Sequence, residues 1–235
     1  MTEASTSAAS GRRASRGRID KRQAILEAAF TVFAREGYAN ACVKVIAAEA
    51  GVAKPTVYNH LSDKANLFRH AIEAASDTAM AQNLAVVGRL ATPGDDLRAA
   101  LEDVGDRLLL CYSSDESWAL RRLIYAESAR FPDLLDVVRG GGPTNRVTEA
   151  LADRLARLAL DGRLRLSDPA QAAEQYIALL TGPMEERSRF GTEQVPADEQ
   201  RRLVRAAVHT FLQAFGTGAA DSAGSANAQG IVKGS

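Results

Sequence analysis

A helical period runs through almost the whole chain, and one interruption in it is too short to join an ordinary hairpin of packed helices. Val43 to Ala50 and Lys54 to Leu61 read as two brief helices separated only by Gly51-Val52-Ala53. A turn of that length suits a helix-turn-helix, whose second helix is free to enter a DNA major groove. Gly51 supplies the positive φ that so tight a bend needs. Val52 and Val57 are spaced to pack as a staple that fixes the entry angle of the second helix. Ala47, Ala48 and Ala50 are small enough for close helix approach. The second helix displays Lys54, Thr56, Tyr58, Asn59 and His60, side chains able to bind phosphates and base edges.

The rest of the pattern is helical as well, and no stretch alternates with period two. A first helix is expected from about Asp20 to Glu36, with Ile25, Leu26, Ala29, Phe30 and Phe33 on one face. Gly37 reads as a left-handed stop and Tyr38 as the cover for that helix end. Ser62 or Asp63 caps a long helix reaching about Leu90, and Thr92-Pro93-Gly94 breaks the chain. Leu97, Leu101, Val104, Leu108 and Cys111 mark another helix face. Further helices are expected from about Trp118 to Arg130, around Val147 to Leu158, from Asp168-Pro169 onward, and from about Pro196 to Phe215. Pro132 opens a short helix, which Gly140-Gly141-Gly142-Pro143 stops.

These readings make the chain all-α and divide it into four parts. Residues 1–18, small, polar and then basic at Arg12, Arg13, Arg16 and Arg18, read as a disordered arm. Residues 19–66 read as a three-helix DNA-binding domain and residues 67–216 as a helical effector-binding and dimerisation domain. Residues 217–235 read as a flexible tail.

Charge follows the same division. The 235 residues sum to zero formal charge, yet residues 1–72 hold 11 Lys and Arg against 6 Asp and Glu, and the remainder 18 against 23. A basic front on an acidic back suits a DNA-reading end joined to something else. Cys42 and Cys111 lie far apart with no CxxC, which argues against a disulfide framework or zinc site and for a reducing compartment, the cytoplasm. No apolar run approaches the roughly 20 residues of a membrane span. The first 18 residues lack the apolar core of a secretory leader, so none is expected.

The ordered elements of RQAILEAAFTVFAREGY and VKVIAAEAGVAKPTVYNHLSDKANLF, over roughly residues 22–72, resemble the TetR/AcrR family of bacterial repressors. They are Ala-Ala-x-x-x-Phe in the first helix, Gly37-Tyr38, Ile46-Ala47, Ala50-Gly51-Val52, Thr56-Val57-Tyr58, and Lys64 with Leu67-Phe68. The resemblance implies that the helix from Lys54 to Leu61 is the recognition helix and that Lys64 meets a phosphate. The candidate DNA-binding set is therefore Lys54, Pro55, Thr56, Tyr58, Asn59, His60 and Lys64. Three positions depart from the family's habit. Ala41-Cys42 replaces a Thr-Ser/Thr pair, Ala53 a serine and Pro55 a glycine. The first two remove side chains that cap helices, at about 1 kcal/mol each.

Beyond residue 72 the resemblance is looser. WALRRLIYAESARFPDL at 118–134 and DPAQAAEQYIALLTG at 168–182 look like the C-terminal domain of efflux-type regulators, which implies an effector pocket. Its candidate lining is Cys111, Tyr112, Trp118, Tyr125 and Phe131, with Arg121 or Glu127 as a polar handle. Aromatic residues at helical spacing are more often simply core. Leu203, Val204, Ala207, Val208, Phe211, Leu212 and Phe215 form two adjacent stripes, more than one core face consumes. With the helix at 169–181, the helix at 197–215 is expected to build a homodimer interface.

The function expected is a ligand-responsive regulator, acting as a repressor. It would bind a palindromic DNA operator as a dimer and be released by an unknown small hydrophobic effector. An effector-blind architectural DNA-binding dimer is the alternative, and a small helical enzyme a weaker one. His60, His70 and His209 are scattered, no metal-binding spacing, nucleophile elbow or phosphate loop occurs, and no catalytic residue, metal or cofactor is expected.

Overall fold

The computed structural model describes residues 4–91, 94–136 and 143–217. Nine helices occur among them: α1 (Ala4–Asn40), α2 (Val43–Glu49), α3 (Lys54–His60), α4 (Lys64–Gly88), α5 (Leu97–Tyr112), α6 (Asp115–Glu127), α7 (Pro143–Leu160), α8 (Pro169–Arg187) and α9 (Ala197–Phe215). Short 3-10 turns cover Arg89–Ala91 and Pro132–Leu134. No β-strand occurs among the described residues, and none of their helices is long and apolar enough to cross a membrane.

Capping follows the polar residues that precede the helices. Asp63 accepts the Asn66 amide at 2.8 Å at the start of α4. Asp96 accepts the Ala99 amide at the start of α5. Asp168 accepts the amides of Ala170 and Gln171 ahead of Pro169 in α8. Each satisfies N–H groups that have no partner inside the helix. The backbone of α1 is helical from Ala4, where the composition predicts a disordered arm. Ala4, Ala8, Ala9, Ala14 and four arginines are strong helix formers, and no proline interrupts them. The helical run turns at Gly37 (φ 74°). Helix α6 begins and ends three residues earlier than the apolar pattern predicts. Ser114 caps its first turn, and Asp115 and Glu116 suit the positive end of its dipole. The Gly140–Gly142 stop and the tail beyond Thr217 lie outside the described residues.

The chain divides into two compact units. One comprises Met1–Thr78 together with Ala119–Leu135, and the other Ala79–Trp118 with Asp136–Ser235. The expected boundary at residue 66 therefore falls short. The long helix α4 belongs to the first unit as far as Thr78, and a segment 40 residues further on returns to complete that unit.

The core of the first unit is built by Ile25, Leu26, Ala29, Val32 and Phe33 of α1, Ile46 and Ala47 of α2, and Leu67, Phe68, Ala71 and Ile72 of α4. Leu120, Leu123, Ile124, Phe131 and Leu134 are buried in the returning segment. In the second unit α7 packs on α8, and α9 on both α5 and α8. The core there joins Leu101 and Val104, Leu151 and Leu155, Tyr176 and Leu180, and the apolar stripe of α9. The buried Tyr176 hydroxyl donates to the Leu101 carbonyl at 2.6 Å, which satisfies its polar atom and pins α8 to α5.

One expectation is overturned here. Leu203, Val204, Ala207, Val208, Phe211 and Leu212 are all buried within their own unit, Phe211 at 1% exposure. α9 is flanked by α5 and α8 together, and two neighbours consume both stripes. The apolar residues of α9 are therefore not surplus.

Candidate nucleic-acid interface

Helix α3 is seven residues long and only Val57 among them is buried. Val57 and, just after the helix, Leu61 anchor it, and the Leu61 amide donates to the Val57 carbonyl at 2.9 Å. Lys54, Pro55, Tyr58 and Asn59 are exposed, and Thr56 and His60 half-buried. The side chains expected to meet DNA, Lys64 of α4 excepted, thus share a short helix held by two anchors, with four of its seven residues exposed. The Lys54 ammonium lies 5.7 Å from the centroid of the Tyr58 ring, a cation–π contact that preorders both.

The path into α3 is fixed by the turn. Gly51 adopts φ 65°, a conformation that costs an L side chain energy. The Val52 amide donates to the Ala47 carbonyl at 3.0 Å and closes the end of α2. Arg35 of α1 pairs with Glu49 of α2 at 2.8 Å, though half of the arginine side chain faces water and the pair adds little stability. The departures at Cys42 and Ala53 have their expected effect. Each is the residue preceding a helix, α2 and α3 respectively, and neither makes a side-chain capping hydrogen bond. The Lys44 amide, then the Val45 amide, nevertheless holds the exposed Cys42 thiol below its ordinary pKa, helped by the charges of Lys54 and Lys44.

Lys64 is tied down at the other end of the site. Its ammonium donates to the Ala39 carbonyl at 3.1 Å and lies 4.9 Å from the Tyr38 ring centroid. Tyr38 belongs to a cluster of four rings. Phe68 lies 5.0 Å from Phe33, from Tyr38 and from Phe131, and Phe131 lies 4.9 Å from Tyr38. Arg130 stacks on Tyr38 at 4.6 Å and Arg69 on Phe131 at 4.9 Å. Arg69 also pairs with Asp133 at 2.8 Å. That hydrogen bond holds the Asp133 carboxyl below its usual range and raises Arg69. The sequence pattern singles out neither Arg69, Arg130 nor Asp133 for this unit, because their partners lie about sixty or more positions away in the chain.

The six residues expected to line an effector pocket fall in both units. Arg121, Tyr125 and Phe131 belong with α3, and Cys111, Tyr112 and Trp118 with the other unit. Phe131 is buried at 4% exposure among the rings just described, whereas Tyr125 is 57% exposed and Arg121 half-buried. Trp118 is part of the second core, edge-on to Tyr112 at 5.5 Å. Gly191, in the turn after α8, lies so close to the Trp118 ring that a Cβ there would collide with it. The Tyr112 hydroxyl donates to Glu185 of α8. Cys111 is half-buried, and burial pushes its thiol upward.

The short two-anchor helix behind a four-residue turn coincides with a family match. Residues 25–71 match the bacterial regulatory proteins of the tetR family, and residues 99–217 match the C-terminal domain of AefR-like transcriptional repressors. The chain belongs to the TetR family of transcriptional regulators. Among curated relatives it is 36% identical over 96 residues to the uncharacterized HTH-type transcriptional regulator YfiR of Bacillus subtilis (strain 168). That alignment covers 38% of this chain and 47% of YfiR, about half its length. Among solved structures, a protein described as a TetR-family transcriptional regulator from Mesorhizobium loti MAFF303099 superimposes with a TM-score of 0.79 at 28% identity. The superposition covers 85% of this chain and 98% of that one. The flavonoid-responsive regulator FrrA gives a TM-score of 0.62 at 26% identity, over 83% and 97% of the two chains. The α2–turn–α3 segment thus lies within the stretch that matches the family's N-terminal region, and the chain from residue 99 in α5 through α9 lies within the stretch that matches the C-terminal domain.

Proposed function

We propose that this TetR-family regulator is a cytoplasmic repressor that reads a palindromic operator as a homodimer and leaves it when a small, largely hydrophobic effector binds. The observation that carries the DNA reading is the exposure of Lys54, Tyr58 and Asn59 on a helix whose apolar anchors, Val57 and Leu61, are spent inward. Lys54, Thr56, Asn59 and His60 reach base edges, Pro55 and Tyr58 pack against the sugar-phosphate chain, and Lys64 exchanges the Ala39 carbonyl for a phosphate. Two such helices must lie about 34 Å apart to enter successive major grooves.

Dimerisation is assigned to α8 and α9, on different residues from those first expected. Ala178 and Gly182 on α8, and Ala206, Thr210 and Ala214 on α9, are exposed and recur every fourth position. Small side chains at that spacing let helices approach closely in a two-fold four-helix arrangement. Effector response is supported by the likeness to FrrA and by the polar pair of Tyr112 and Glu185 beside Trp118. The effector-blind reading is favoured by the packing of Trp118 and Phe131 into two separate cores. Trp118 is the chain's one tryptophan, so its fluorescence separates the readings. A flavonoid or a long-chain acid that shifts the emission and weakens DNA binding supports a sensor. Selection of bound duplexes from a random pool tests the operator, and an inverted repeat is expected.

A further inference from the structure

We infer that Arg130–Asp133 is a positioning clasp for the DNA-reading helix, acting on α3 without touching DNA. The inference rests on the reading of α3 given above. The clasp is part of the same unit as α3 although some seventy residues separate them in the chain.

It grips two elements at once. Phe131 packs on Tyr38 and Phe68 together, 4.9 and 5.0 Å from their ring centroids, and braces a pair of rings that already touch at 5.0 Å. Arg130 stacks on Tyr38, and Asp133 holds Arg69, the neighbour of Phe68 on α4. Tyr38 stands four residues ahead of Cys42, from which α2 starts, and the Ala39 carbonyl beside it receives Lys64. Helix α3 has two buried anchors of its own, so its tilt is inherited from α2 across a four-residue turn and from α4 just behind it. A clasp that braces the existing contacts of Tyr38 with Phe68 and Lys64 of α4 therefore steadies the angle between the elements on either side of α3. Base-edge hydrogen bonds are sensitive to that angle, whereas attraction to phosphates is not. Loss of the clasp should reduce operator binding and leave random-sequence binding nearly untouched.

Asp133→Asn gives a test whose sign is informative, with the full chain and a duplex selected from a random pool. Removing a negative charge from a DNA-binding protein strengthens or leaves unchanged its binding if only long-range electrostatics is involved. The clasp predicts the opposite: a loss of about two- to five-fold on the selected duplex, as for an exposed ion pair, with random DNA unchanged. Asp133→Glu should restore binding. Phe131→Leu, which keeps apolar volume but loses the ring contacts, should cost about tenfold or more. Melting curves confirm that each variant is folded at the assay temperature. Parent-like or tighter operator binding by Asp133→Asn overturns the inference, as does an equal loss on both duplexes. Asn59→Ala in the same titration separates the two claims. If it fails to weaken operator binding, the reading of α3 fails; if it weakens binding and Asp133→Asn does not, the clasp alone fails.

Discussion

Helices α3 and α9 are both amphipathic, and they dispose of their apolar residues in opposite ways. α3 buries one residue of seven and leaves four exposed, whereas α9 buries six of nineteen inside its own unit. The contrast teaches that an apolar stripe is a poor guide to an interface, because a helix flanked by two neighbours can consume a wide one. A polar face on an under-anchored helix is the better guide, since nothing in the fold itself requires those side chains.

The sharpest way to break the comparison is to charge the α9 stripe. Phe211→Glu should unfold the second unit, at a cost above about 4 kcal/mol for an unpaired charge in a packed core. Denaturant melts should show loss of cooperative unfolding. A folded monomer would return the stripe to the interface. The double variant Ala178→Arg/Ala206→Arg should instead give a folded monomer by sedimentation, with helicity unchanged. A persistent dimer would place the contact elsewhere. Lys64→Ala should weaken binding about equally on operator and random DNA and lower the salt slope by roughly one unit. A slope equal to the parent's would mean that Lys64 stays with Ala39 and Tyr38 in the complex.

The smallest effect concerns the thiols. Alkylation follows the thiolate, so Cys42, held low by the Lys44 and Val45 amides, should react first and gain its full rate at lower pH than an ordinary thiol. Cys111, raised by burial, should react slowly and need a higher pH. Peptide mapping after iodoacetamide treatment across about pH 6 to 9 checks this order.

Local signals made the reading head legible. The turn at Gly51, the anchor at Val57, the cap at Asp63 and the missing caps at Cys42 and Ala53 are all decided within a few residues. The helix faces of α1 and α5 were legible for the same reason, apart from Phe30 and Cys111, which are only half-buried, and Val32, which is buried but was passed over. What could not be read depends on distant partners. Phe131 looks like one more aromatic at helical spacing, and only its meeting with Tyr38 and Phe68, far apart in sequence, places it in the reading head. The burial of α9 depends likewise on α5, about a hundred residues earlier.

The central claim is that residues 54–60 read DNA, and equilibrium binding at several salt concentrations tests it most directly. Lys54→Ala, Thr56→Ala and Asn59→Ala should be titrated against a selected operator and against random duplex. The account predicts that Thr56→Ala and Asn59→Ala each cost about 1–3 kcal/mol on the operator and little on random DNA. Operator binding equal to the parent's in all three variants would contradict it, because α3 would then not be the helix that reads the sequence.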